Sequence, residues 1–125
     1  MLRNLIVILS FLFILVACGN ESFDKEHLAY IEKLGWTIKS LDSTEQVIME
    51  LSPESIANYK ASNITFIGNY IGKELVVTSY ELNEEDPKGD NLIVDVYEYE
   101  GKIVGTIGKI PNATPGVFNL ADKKS

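Results

Sequence analysis

Three stretches of the chain, residues 75–82, 92–99 and 102–110, carry β-branched and aromatic residues in alternation. Such stretches form half-buried strands. Only Glu100-Gly101 separates the last two. A two-residue connection leaves consecutive strands no route but to turn back side by side, so the C-terminal half is committed to an antiparallel sheet. Residues 83–91 (Asn-Glu-Glu-Asp-Pro-Lys-Gly-Asp-Asn) join the first two stretches and read as a solvated loop.

The N-terminal half supplies the remaining layer. Ser22 can cap a helix over 23–34, with Asp24 and Glu26 in its first turn and Gly35 at its end. Leu28, Ile31 and Leu34 recur at three-residue spacing, with Phe23, His27 and Tyr30 on the flank. Residues 36–41 alternate, with Trp36 and Ile38 on one side, and 46–51 alternate again through Val47, Met49 and Leu51. Asp42-Ser43-Thr44 between them reads as the turn of a hairpin. Ser52-Pro53-Glu54 is a helix start, with a capping hydroxyl and proline at the first helical position, and the spacing predicts a short helix over 53–61 with Ile56 and Tyr59 inward. Residues 63–72 are irregular, and the pattern dissolves after Pro111 into a loose tail over 111–125. The expected order is α-β-β-α-β-β-β. It describes an α+β domain over 23–110: an antiparallel sheet of about five strands with two short helices on one face.

Ahead of this domain stands a segment of another kind. Met1-Leu2-Arg3-Asn4 carries one positive charge, an apolar run from Leu5 to Val16 is broken only by Ser10, and Ala17-Cys18-Gly19-Asn20 follows. A charged start, a short apolar core and a small residue at the cut form a secretory signal, expected here as a helix over 1–17. The run is too short to span a bilayer, which takes about 20 apolar residues. Leu15-Val16-Ala17-Cys18 resembles the lipobox of bacterial lipoproteins. The resemblance implies that the Cys18 thiol receives a diacylglyceryl group and that the chain is cut between Ala17 and Cys18. It further implies a lipid-anchored domain on the extracytoplasmic side of the cell membrane. Durable anchoring needs two or more acyl chains, since one alone is marginal. Cys18 is the single cysteine, so no disulfide forms within the chain. Residues 18–22 then read as a short polar tether, and the overall style points to a Gram-positive source.

Loss of the leader removes Arg3 and leaves 108 residues with ten basic and 18 acidic side chains, a net charge of −8. That length makes one domain. Its acidity disfavours nucleic acid, whose phosphates call for a basic patch, and anionic lipid headgroups as well.

A second resemblance spans about residues 28–108. Leu34-Gly35-Trp36 closes the first helix, Tyr70-Ile71-Gly72-Lys73 opens a strand containing Tyr80, and Tyr99-Glu100-Gly101-Lys102-Ile103-Val104-Gly105 forms the last hairpin. Their order is similar to a family of small exported domains of unknown function from Gram-positive, often spore-forming, bacteria. The chain departs from that pattern after Gly105, at Thr106-Ile107-Gly108. The resemblance implies no activity.

No catalytic constellation is visible. One His and one Cys make no metal site, and Glu84, Glu85, Asp86 and Asp90 lack the alternating oxygen spacing and closing glutamate of a calcium loop. Neither a metal nor another cofactor is therefore expected. His27 needs a nucleophile and an orienting partner to act as a base, and an acid such as Asp95, on a strand, could meet it. Alternation groups Asp95 with Ile93, Tyr97 and Tyr99, on the face expected to be wet. Tyr80, Tyr97 and Tyr99 read as cross-strand packing, with an exposed platform for glycan or protein as the alternative. Trp36 reads as the core anchor of helix to sheet. The expectation is a non-enzymatic module of the cell envelope, held to the membrane through lipid on Cys18, that binds another envelope protein or a wall polymer. The rival is a small envelope hydrolase built on His27 and Asp95, or a hydrolase inhibitor presenting the 83–91 loop.

Overall fold

A computed structural model describes residues 23–113 and 116–122. The leader, Ala17, Cys18 and the tether lie outside the described residues. In chain order the elements are helix α1 (Lys25–Lys33), strand β1 (Ile38–Ile48), helix α2 (Pro53–Ala61), a 3₁₀ turn (Phe66–Tyr70), strands β2 (Glu74–Glu85), β3 (Asn91–Tyr99), β4 (Lys102–Lys109) and β5 (Val117–Phe118), and a second 3₁₀ turn (Leu120–Asp122). The strands form one sheet in sequence order, each antiparallel to the next. The α+β architecture and the five-stranded antiparallel sheet are those the sequence dictates. Glu100 and Gly101 both take positive φ, 50° and 79°, as a two-residue hairpin of the right twist requires.

The strands are composed differently from the sequence reading. Residues 36–41 and 46–51 do not form a hairpin: β1 is one eleven-residue strand running along β2 from Ile38↔Leu82 to Ile48↔Glu74. The Asp42-Ser43-Thr44 segment read as a turn is instead a bulge, marked by the register shift between Leu41 and Ser43. Small polar residues favour both, and the long partner strand β2 decides in favour of pairing. The element order is accordingly α-β-α-β-β-β-β.

The helices lie on opposite faces of the sheet, a correction to the one-face expectation. Tyr80 and Leu82 are buried on one face of β2 with their β3 neighbours Val94 and Val96, and Ile31 of α1 packs there with Trp36. Leu75 is five positions before Tyr80, so it points the other way. It packs with Met49, Ile64, Ile67, Tyr97 and Ile107, against which Tyr59 of α2 rests. β3 records both layers, because Val94, Asp95, Val96 and Tyr97 are buried in succession. Strands covered on both faces read as near-continuous runs, which hides from the sequence the alternation that would assign a helix to a face.

The C-terminal segment is not a loose tail. β5 pairs with β4 through Gly108↔Phe118 and Lys109↔Val117. Leu120 is wholly buried in the first core, where its carbonyl accepts the Trp36 indole N–H at 2.8 Å. The domain therefore continues to Asp122. Short apolar pieces between turns carry no periodicity, so this packing leaves no sequence signal. Gly108 admits it, because a Cβ there would meet the Phe118 ring.

Candidate functional site

The first polar site is built on α1. Its N-cap is Asp24, not Ser22: the Asp24 carboxylate accepts from the Glu26 and His27 backbone N–H groups. A cap at that position sets the helix so that Phe23, His27 and Ile31, four apart, form the inward stripe, and His27 and Ile31 are its buried residues. His27 thus moves from the flank to the centre of the packed face, 3% exposed. Its Nε2 lies 2.8 Å from Glu98 Oε1 and its Nδ1 lies 2.6 Å from the Tyr80 hydroxyl. A carboxylate only accepts, so Nε2 carries a proton, and in the neutral ring Nδ1 then accepts from the Tyr80 O–H. The Tyr80 ring also meets Phe23 edge-on, centroids 5.9 Å apart. Burial pushes the Tyr80 hydroxyl up from 10.0 to about 12, the charges of Asp24 and Glu98 add to this, and a backbone hydrogen bond from Asp24 works against it.

The second site is on the other face. Asp95 is 2% exposed, which overturns the expectation that its face is wet. Its Oδ1 accepts from Ser79 Oγ, its cross-strand neighbour, and its Oδ2 pairs with Lys109 Nζ from β4. Tyr97 lies on the same face, buried and edge-on to Phe66. Its hydroxyl is raised well above the ordinary value by burial, then by the charges of Asp95 and Tyr59.

His27 and Asp95 therefore do not meet. Tyr80, which binds His27, and Asp95 lie on opposite faces, since the residue facing Tyr80 on β3 is Val94. Each group is paired with other side chains, and both His27 nitrogens are engaged. The partners that the structure supplies, Glu98, Ser79 and Lys109, could not be read in advance. Each lies on another strand, and the pairing register that aligns them is a tertiary fact.

The tyrosines do not make an exposed platform. Tyr80 and Tyr97 are buried on opposite faces, and Tyr99 stacks at a tilt on Tyr70, centroids 5.3 Å apart. The 83–91 loop is shorter than expected, since β2 runs to Glu85 and β3 starts at Asn91. The Asp86 carboxylate organises the turn between them by accepting from the Lys88 and Asp90 backbone N–H groups at 2.8 and 3.0 Å. Among the described residues no three His, Cys, Asp or Glu side chains are grouped to hold a metal ion.

A cleft of about 510 Å³ opens at the end of the sheet that carries this turn. Trp36, Leu92 and Phe118 form its floor, and Glu84, Glu85 and Asp122 stand on its walls. Glu84 is held in place by the Thr37 backbone N–H and hydroxyl. An adjoining hollow of about 210 Å³ shares Trp36, Leu92 and Phe118 and extends the apolar surface to Pro87 and Ile110. Trp36 is a core anchor, as its sequence context implies, and also the floor of this cleft. Phe118 and Asp122 come from the segment read as a tail, and no sequence pattern marks them.

No protein-family model, no curated protein and no solved structure matches this chain. The two resemblances drawn above thus rest on the motifs themselves. Among the described residues no helix is long and apolar enough to cross a membrane.

Proposed function

We propose that this protein is a surface lipoprotein, anchored to the extracytoplasmic side of the cell membrane through lipid on Cys18, whose α+β domain is a non-enzymatic binding module of the envelope. One observation carries the choice of binding over catalysis. The two candidate catalytic groups, His27 and Asp95, are locked into separate satisfied networks, while the open cleft at Trp36 combines an apolar floor with a few polar groups. Recognition sites have that composition. The anchoring half of the reading is supported by the leader and lipobox of residues 1–18.

The two halves are tested separately. Replacement of Cys18 by Ser is expected to abolish labelling of the chain by an alkynyl fatty acid and to release it from the membrane fraction. A variant that still labels and still sediments with membranes defeats the anchoring claim. For binding, a photo-crosslinking residue is placed at Lys88, exposed beside the cleft, and in a second variant at Gln46, exposed on the far edge strand. Discrete crosslinked products are expected from Lys88 and not from Gln46. Equal patterns, or none from either, would count against a binding module that uses this cleft.

A further inference from the structure

We infer that the cleft at Trp36 takes a short extended peptide segment of a partner protein, with a basic side chain at the acidic wall and an apolar side chain in the adjoining hollow. This inference rests on the binding-module reading and assigns the chemistry of the ligand.

The charge of the lining sets the first requirement. Among the described residues, each charged residue along either lobe is an acid: Glu84, Glu85 and Asp122 in one, Glu85 and Asp86 in the other. Glu84 and Asp86 spend their carboxylates on Thr37 and on the turn, so they supply fixed negative potential. Glu85 and Asp122 are exposed at the rim, where a Lys or Arg head group can reach them. An anionic or neutral ligand gains nothing from this wall, and an anionic one is repelled.

The shape sets the second. The two lobes share a floor of Trp36, Leu92 and Phe118, but only the second is lined almost wholly by apolar groups. A compact cation would fill one lobe and leave the other empty. An extended chain places side chains i and i+2 on the same side about 7 Å apart. It can therefore lay a basic residue in the first lobe and an aliphatic or aromatic one in the second. The indole of Trp36 is held rigid by its hydrogen bond to Leu120, so the floor is preformed.

The test uses the full chain purified from membranes in neutral detergent and a display library of random dodecapeptides as probe. Expected is enrichment of sequences with Lys or Arg two positions from a large apolar residue. An enriched peptide should change the fluorescence of Trp36, the single tryptophan of the chain. Its affinity should fall roughly tenfold in the E85Q/D122N double variant, and less so at high salt, since exposed charge pairs are screened. Both substitutions are at exposed positions, and an unchanged thermal melt confirms that the fold is intact. The inference is overturned if the enriched peptides lack a basic residue, if E85Q/D122N leaves binding unchanged, or if nothing is enriched. Lys88 crosslinks to a partner alongside neutral or acidic enriched peptides would sink the basic-ligand chemistry and leave the binding module standing.

Discussion

At the scale of single residues, the buried networks on the two faces are the most consequential polar features, and each makes a definite prediction. His27→Leu takes the ring partner from the half-buried Glu98 carboxylate and leaves the buried Tyr80 hydroxyl with only its backbone hydrogen bond from Asp24. A buried polar group left without its partner costs about 1–3 kcal/mol, so urea denaturation of H27L should show a loss of that size with an unchanged slope. Tyr80 gives a pH dependence. Its hydroxyl ionises at 10.0 in the unfolded chain and at about 12 in the folded one. The folded state thus holds the proton more tightly. The resulting stability is fully present below pH 10.0 and is lost as pH rises through about 12. The loss from this residue should approach about 1.4 kcal/mol per pH unit in that window, followed by phenolate absorbance beside far-ultraviolet circular dichroism.

The Asp95–Lys109 pair is asymmetric. Asp95 is buried, whereas the Lys109 side chain is 46% exposed. Lys109→Met leaves a buried carboxylate with only Ser79 as partner and should cost about 3 kcal/mol. Asp95→Asn keeps an acceptor for Ser79 and lets Lys109 turn into water, so about 1 kcal/mol is expected. Thermal and urea unfolding of the two variants side by side checks the order, and a costlier D95N would show that this reading of the pair is wrong.

At the scale of elements, sequence patterns identified most helices and strands and missed where they go. The strands β2, β3 and β4 and their hairpin were legible because alternation and a two-residue loop are local properties. β1 was legible as strand but not as one strand, since a bulge and a turn use the same small polar residues. The short segment from β5 to Asp122 was not legible at all, yet it contributes Leu120 to the first core, Phe118 to the cleft floor and a carbonyl to Trp36. Leu120→Ala should therefore cost about 2–5 kcal/mol, as for a fully buried leucine, and not the few tenths expected of a tail. The same variant should move the Trp36 emission spectrum, because the residue that holds the indole is displaced.

At the scale of the whole molecule, the two-sided sheet sets which polar groups can meet. A sheet covered on both faces divides its polar groups into separate compartments, so the one histidine and the best-placed buried acid never share a site. The cleft lies at an end of the sheet, where helix exit, strand turn and C-terminal segment converge on Trp36. The strand-rich half, the start of α2, the hairpin at Glu100-Gly101 and the acidity were legible in the chain alone, because propensity, turn chemistry and charge are properties of neighbours in the chain. Packing in three dimensions was needed to set the helices on opposite faces, to bring His27 to Glu98 and Asp95 to Lys109, and to complete a cleft at Trp36 with Phe118 and Asp122. Those relations join residues well separated in the chain, 14 positions for Asp95 and Lys109 and 71 for His27 and Glu98. They are fixed by pairing register and by the competition between two cores for the same strands, neither of which is written in any local pattern.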